Sequence, residues 1–345
     1  AVRSARRCLV ADVQPRALVG TTTRSGRKCC RFNRHPACRA SVDAGPHVND
    51  ANGSDGVGWI PVGPAWSSFA VAGVALFTQE QRGEFEVAVC YHAKTGREVW
   101  VHELKTRFDD PLGGPGPRAT PTLAAGGLFV MGANGNLLRL DPATGESEWE
   151  VDIRKVAKTA TPMWGFSSSP IVEGSLVFVH AAGDGDKGVL ALDIETGSLI
   201  WSSPSGKMTY GSPQIAVIAG QRQLLMATNQ GVDLMDPETG KVRLAYPWIH
   251  NGYRACQPQV VENDDIILPT GMGSGTRRIR VTLHEGKWSA DEVWTSLNLK
   301  PDFNDFVIHK GNAYGFDSTI FASIDVETGE RNWKRGRYGK GQVLL

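Results

Sequence analysis

One phrase recurs along the chain and constrains its fold more than any other feature. Asp141-Pro-Ala-Thr144-Gly145 is followed by Trp149, Asp193-Ile-Glu-Thr196-Gly197 by Trp201, and Asp325-Val-Glu-Thr328-Gly329 by Trp333. Two variants join them: Asp236-Pro-Glu-Thr239-Gly240 lacks the Trp, and His92-Ala-Lys-Thr95-Gly96 keeps Trp100 but lacks the Asp. Wherever the Trp is present it lies four residues after the Gly, and the Thr-to-Thr spacings are 49, 52, 43 and 89. The last spacing spans two periods and predicts a degenerate copy around His284-Glu285-Gly286-Lys287 with Trp294. A period of roughly 40–50 residues built from short strands is the signature of a β-propeller blade.

The chemistry of the phrase agrees. An Asp carboxylate can accept backbone N–H groups two residues on and Gly supplies positive φ, so D-x-x-T-G between two apolar runs predicts a hairpin turn. Strand-like runs precede the turns, as in Leu137-Leu138-Arg139-Leu140, Val189-Leu190-Ala191-Leu192 and Phe321-Ala322-Ser323-Ile324. The following strand ends on a Trp whose ring can fill the gap between neighbouring sheets. A sheet of this kind cannot bury its faces alone and must stack on its neighbours.

The A-x-D-x-x-T-G-x-x-x-W phrase, in a repeat of this length, resembles the quinoprotein dehydrogenase-like propeller superfamily, also called PQQ-like repeats. The resemblance covers about Trp59 to Leu345. That superfamily includes pyrroloquinoline-quinone alcohol dehydrogenases and a non-catalytic branch typified by the lipoprotein of the outer-membrane β-barrel assembly machinery. The phrase is a structural element of both branches, so it implies the fold and does not select the activity.

The predicted fold is therefore all-β: a propeller of four-stranded antiparallel blades with little helix, because apolar alternation is short and interrupted throughout. Inner strands read from near Phe69, Pro121, Pro170, Pro213, Pro258 and Phe306, giving copies at about 67–103, 118–153, 167–205, 210–248, 254–298 and 303–337. A seventh starts at Gly341-Gln-Val-Leu-Leu345, so the chain reads as an incomplete propeller, a fragment of a seven- or eight-bladed ring. An unclosed ring leaves sheet faces that favour aggregation or a partner. The propeller domain is expected over 51–345.

Residues 1–50 differ in kind. The first forty hold nine Arg and one Lys against a single acid, Asp12, and four of the six Cys. They read as a disordered or artefactual extension with a superficial likeness to an organellar transit peptide. Cys29, Cys30, His35 and Cys38 lack the C-x2-C pairing of zinc sites. Adjacent cysteines form a vicinal disulfide beside the cofactor in quinoprotein alcohol dehydrogenases, but Cys29-Cys30 precedes the propeller, so that carry-over fails on position. Cys90 and Cys256 read as small core residues.

Net charge of +1 with 21% charged residues and no basic stripe argues against nucleic acid as the partner. No run of eighteen apolar residues exists, so no transmembrane segment is expected. No signal peptide is visible; a periplasmic or exported location is implied by the resemblance alone.

In a propeller the segments entering the inner strands gather at one mouth of the central channel. Here they are Trp66-Ser67-Ser68, Arg118-Ala119-Thr120, Trp164 to Ser168, Tyr210-Gly211-Ser212, Arg254 to Gln257 and Phe303-Asn304-Asp305. In register they place Arg118, Trp164, Tyr210, Arg254, Asn304 and Asp305 around one opening. Guanidiniums suit an anion, aromatic rings suit stacking on a planar ring, and an Asn-Asp pair suits a cation. The competing reading is that these residues bridge adjacent blades by hydrogen bonds.

Two functions follow from the resemblance. The first is a non-catalytic binding or scaffold module that docks a protein or small ligand at the mouth and rim, with no cofactor. The alternative is an alcohol or sugar dehydrogenase dependent on pyrroloquinoline quinone (PQQ) and Ca²⁺. In that reading Arg118 and Arg254 take the quinone carboxylates, Asn304 and Asp305 the calcium, and Asp305 also the catalytic base. One Asp serves poorly as both ligand and base, and no haem-attachment C-x-x-C-H is present.

Other features carry less. Gly183-Asp184-Gly185-Asp186-Lys187-Gly188 lacks EF-hand spacing and suits a middle hairpin. The glycine-rich Gly271 to Arg278 stretch has no Gly-Lys-Ser/Thr and no following helix, which argues against a phosphate loop. Gly113 to Pro117 reads as an irregular linker. The isolated histidines His47, His102, His180 and His250 lie beside no nucleophile phrase, so a Ser-His-Asp hydrolase has no support.

Overall fold

The computed structural model describes residues 61–339, 341 and 343, together with 345. The N-terminal extension, with Cys29, Cys30, His35 and Cys38, lies outside the described residues. The unit Asp50–Leu344 carries every strand of the fold.

Six four-stranded antiparallel sheets follow one another, each a simple meander in sequence order, over 70–104, 122–152, 171–203, 214–247, 259–296 and 307–337. These blades, numbered 1 to 6 below, match the repeat predicted from the Asp and Thr spacing to within a few residues. Among the described residues, helix is limited to Ile153–Ala157 and a single 3-10 turn at Glu262–Asp264. The linker read as irregular between blades 1 and 2 holds a two-stranded hairpin, Asp109–Asp110 against Gly114–Pro115. Residues 341 and 343, where a seventh blade was expected to begin, are not in a strand.

The turns form as the sequence dictates. Asp141 Oδ1 accepts the N–H groups of Ala143 and Thr144 at 2.7 and 3.0 Å. Asp193, Asp236 and Asp325 repeat this with the residues two and three positions on. The turn is closed by Gly145 N–H to the Asp141 carbonyl at 2.8 Å, with Gly145 at φ +76°. That left-handed geometry is open to Gly at little cost.

Each turn then receives the Trp of the preceding blade. The Trp100 indole N–H donates to Pro142 O at 3.1 Å, Trp149 to Ile194 O at 2.9 Å, Trp201 to Pro237 O at 3.2 Å and Trp294 to Val326 O at 3.1 Å. In every case the acceptor is the carbonyl directly after the turn Asp. The turn glycine lies beneath the ring: Gly145 under Trp100, Gly197 under Trp149, Gly240 under Trp201 and Gly329 under Trp294. The phrase is therefore half of a joint between blades, and the Gly is required twice, for φ and for the close approach of the indole.

Trp333 differs from Trp149 and Trp201 in its surroundings. It has the intra-blade ring contact of its counterparts, with Tyr314 at 6.2 Å, as Trp149 has with Phe129 at 6.1 Å. No following turn among the described residues accepts its indole N–H, and Arg335 stacks over its ring at 5.1 Å instead.

The junction of blades 4 and 5 explains the two irregular copies together. Blade 4 has Leu244 where the Trp would stand, and the blade 5 hairpin is lengthened to Gly275–His284 against Lys287–Ser296. Gly286 at its tip consequently meets nothing, so the Trp and its glycine seat are lost as a pair. In their place Arg277 stacks on Trp248 at 4.5 Å and donates to Tyr246 Oη at 3.2 Å.

Apolar side chains between successive sheets form the core. Phe129, Met131 and Leu137 of blade 2 meet Val177, Val179, Leu190 and Leu192 of blade 3, all at most 0% exposed. The other junctions repeat this arrangement. The two central strands of a blade thus read as nearly continuous apolar runs, because both of their faces are covered.

Candidate functional site at the channel mouth

A hydrogen-bonded belt holds the strand entries together at the mouth. Ser68 N–H donates to Thr120 Oγ1 at 3.0 Å, Thr120 N–H to Ser169 Oγ at 2.9 Å, and Ser169 N–H to Ser212 Oγ at 2.9 Å. Gln257 N–H donates in the same way to Asp305 Oδ1 at 3.0 Å. Asp305 thus occupies the place in blade 6 that hydroxyl residues fill in blades 2 to 4. Burial raises its pKa, opposed by the bonds from Gln257 and Cys256. The buried Cys256 thiol beside it is raised well above its ordinary value by burial and by the Asp305 charge.

Above the belt lies a cavity of about 340 Å³. Its walls are Trp66, Leu112, Trp164, Tyr210, Tyr253 and Phe303, with Asp110, Gly113, Arg118, Ser167 and Ala255 completing the lining. Trp164, Tyr210 and Tyr253 pack on one another, with Trp164 edge-to-face on Tyr253 at 4.7 Å and Tyr210 edge-to-face on Tyr253 at 5.5 Å. Opposite them Trp66 meets Phe303 edge-to-face at 5.9 Å, joining the entries of blades 1 and 6. The Trp66 indole N–H is held by Gly113 O at 2.8 Å.

The cation in this wall is already spent. Arg118 donates to Asp110 Oδ2 at 2.5 Å, to Gly114 O at 2.6 Å, to Gly116 O at 2.9 Å and to Trp164 O at 3.3 Å. Its side chain is 6% exposed. Burial works against the Asp110 charge, but the N–H groups of Gly113 and Leu112 and the Arg118 guanidinium hold its carboxyl below the usual range. The pair fixes the small hairpin of the linker, and the pocket keeps an aromatic surface with its one ion pair internally balanced.

Of the six residues placed at the mouth by register, Arg118, Trp164 and Tyr210 line the cavity, whereas Arg254, Asn304 and Asp305 are not part of its lining. Arg254 is 1% exposed. It donates to Thr270 Oγ1 at 2.8 Å, to Trp248 O at 2.5 Å and to Thr228 O. Burial lowers its pKa to about 10, with the Arg277 charge adding to the effect. Asn304 is buried, with its Nδ2 unpartnered. Tyr253, Asp110 and Leu112 were missed. Tyr253 adjoins Arg254 in a segment already assigned to the mouth, so its aromatic character was the available signal; nothing in the linker sequence marks Asp110.

This donor set does not fit PQQ with calcium. Three carboxylates on a quinone need cations, and the guanidiniums of both Arg118 and Arg254 are consumed by carbonyls, a hydroxyl and a carboxylate of the fold. Calcium takes six to eight oxygens, usually with several carboxylates. Asp305 is engaged by Gln257, and no group of three or more His, Cys, Asp or Glu side chains among the described residues is arranged to hold a metal ion. Cys90 and Cys256 are both buried and free.

No helix among the described residues is long and apolar enough to cross a membrane. A sequence search of curated proteins found no match. The fold is similar to that of BamB from Moraxella catarrhalis, with a TM-score of 0.55 at 14% identity over 78% of this chain and 72% of that one. It is equally similar to a europium-containing methanol dehydrogenase, with a TM-score of 0.57 at 14% identity over 79% and 69%. Identities this low establish the fold alone. The family profile described as outer membrane protein assembly factor BamB matches residues 83–335, from the first blade to the last, and the chain belongs to that family of PQQ-like repeat propellers.

Proposed function

We propose that the chain is a non-catalytic binding module whose mouth pocket receives an apolar side chain of a protein partner. The observation that carries this reading is the commitment of Arg118 and Arg254 to the fold, which leaves five aromatic rings and Leu112 as the surface offered to a ligand. Burying a neutral anchor among such rings is favourable by roughly 25 cal/mol per Å² of apolar area, whereas a charged group would lose its hydration with no counter-ion to meet it. Aromatic anchors in concave pockets are the usual centres of protein interfaces. Its family supports the same reading, since the BamB profile is named for an assembly factor.

The test is a titration with N-acetyl amides of Phe, Leu, Asp and Lys, followed by protein NMR or tryptophan fluorescence. We expect Phe and Leu amides to bind at least about tenfold more tightly than the Asp and Lys amides. We also expect Tyr253→Ala to abolish that preference. Tighter binding of the Asp or Lys amide would overturn the proposal.

A further inference from the structure

The sequence holds three Asn-Gly pairs, at 52–53, 134–135 and 251–252, of which the first lies outside the described residues. Such a pair is prone to close on itself, because glycine puts no side chain in the way when its main-chain nitrogen attacks the Asn amide carbon. The fold treats the other two pairs differently. Asn134 Nδ2 donates to Thr106 Oγ1 at 2.9 Å and to Arg107 O at 3.2 Å, and Gly135 N–H donates to Gly132 O at 2.9 Å. Both reacting groups of that pair are tied down. Asn251 is exposed in the loop that enters blade 5, and among the described residues neither its amide nor the Gly252 N–H has a hydrogen-bond partner. The loop cannot trade the glycine for a bulkier residue, since a Cβ there would lie 2.7 Å from His250 Nε2 and 2.9 Å from Met272 Sδ. Packing thus demands the residue that makes Asn251 reactive.

We infer that Asn251 is a self-modification site whose conversion to isoaspartate and aspartate remodels the wall of the mouth pocket. The Gly252 main-chain nitrogen bonds to Asn251 Cγ, and its proton leaves with Nδ2 as ammonia, giving a five-membered succinimide. Water then opens the ring. Cleavage between the nitrogen and Cγ restores the main chain with aspartate at 251. Cleavage between the nitrogen and the main-chain carbonyl carbon leaves the chain running through Cβ and Cγ, one atom longer, as isoaspartate. Both products carry a carboxylate where the Asn was neutral. The loop is anchored on either side of the reaction: upstream His250 N–H donates to Asn229 O at 2.8 Å and its Nδ1 bonds Ser274 Oγ at 2.9 Å, and downstream Arg254 holds Thr270 Oγ1 and the carbonyls of Trp248 and Thr228. The extra main-chain atom is therefore absorbed between these anchors, where Tyr253 packs on Trp164 at 4.7 Å and on Tyr210 at 5.5 Å.

The test is to age the purified 345-residue chain at neutral pH, folded and in urea, and to follow each Asn-Gly pair by peptide mapping, with isoaspartyl methyltransferase labelling to identify isoaspartate. In the folded chain we expect Asn251 to convert at least about tenfold faster than Asn134, which must first break its hydrogen bonds, whereas in urea the two should agree within about threefold. The isoaspartyl fraction, separated by ion exchange, should show a shifted Trp164 indole resonance in the NMR spectrum. An Asn251→Ala chain aged in the same way should show neither the conversion nor the shift. Three results would overturn the inference: conversion of Asn251 no faster than that of Asn134 in the folded chain, the same tenfold preference in urea, or an unmoved Trp164 indole in the isoaspartyl fraction.

Discussion

The indole N–H of Trp149 donates to the carbonyl oxygen of Ile194 across a blade junction at 2.9 Å. The same oxygen accepts Arg139 Nη1 at 2.8 Å, and that nitrogen also pairs with Glu195 at 2.5 Å. Arg278, Trp294, Val326 and Glu327 repeat the arrangement between blades 5 and 6. The Glu of the D-x-E-T-G phrase therefore joins the same junction as the Trp of the preceding blade, 46 residues from Trp149 for Glu195 and 33 residues from Trp294 for Glu327.

Because that joint buries a large ring and satisfies its donor, Trp149→Ala should destabilise the chain by about 3–5 kcal/mol. Trp333→Ala should cost under about 1 kcal/mol, since Trp333 has no following turn among the described residues to fill. Urea denaturation of the two variants checks this. Equal losses would contradict the description of the joint.

Gly145 and Gly286 separate backbone strain from crowding. Both have positive φ, +76° and +75°, but a Cβ on Gly145 would lie 2.5 Å from the Trp100 ring whereas one on Gly286 meets nothing. Gly286→Ala should cost about 1–2 kcal/mol for the left-handed conformation alone. Gly145→Ala should add about 1–3 kcal/mol of overpacking to that cost. Thermal unfolding of the pair would contradict this if the two losses were the same.

Glu86 predicts a pH dependence of known sign. It is 2% exposed, and Oε2 accepts Ala133 N–H at 3.1 Å while Oε1 has no partner. Burial raises its pKa to about 7, against the opposing effects of the Ala133 N–H and the Arg118 charge. A carboxyl with a raised folded-state pKa contributes stability that is complete below its unfolded pKa and lost as pH rises through its folded one. From about pH 4.5 to 7 the wild type should therefore lose up to about 3 kcal/mol relative to Glu86→Gln. Unfolding free energies of both proteins across that range check it, and a difference that is flat or grows in the opposite direction would contradict the assignment.

Much of the fold was legible in the sequence because one short turn encodes it. Asp141, Asp193, Asp236 and Asp325 need only their own neighbours to form their turns, and the Gly-to-Trp interval is fixed by the strand between them. Even the degenerate copy at Gly286 followed from the period, although the paired loss of the blade 4 Trp required the structure. The mouth was legible only as a set of segments. Spacing places Arg254 and Asn304 in those segments, but rotamers decide where their side chains go, and both are buried outside the cavity lining. Asp110 was hidden because its role depends on Arg118, eight residues away across a hairpin with no alternating pattern to announce it.

Breaking the Arg118–Asp110 pair from one side leaves an uncompensated charge that is only 7% exposed as a residue. Arg118→Met should cost about 3–5 kcal/mol, and the double variant Arg118→Met, Asp110→Asn should recover much of that loss. A double-mutant cycle in urea measures the coupling; simple additivity would contradict the pairing.

The most direct test of the non-catalytic account is a tryptophan-fluorescence titration of the protein with pyrroloquinoline quinone, with and without Ca²⁺. Because Arg118 and Arg254 are committed within the fold, we expect no saturable, calcium-dependent quenching at quinone concentrations well above micromolar. Saturable quenching that requires Ca²⁺ and disappears in Asn304→Ala would contradict the account and establish a cofactor site in the channel.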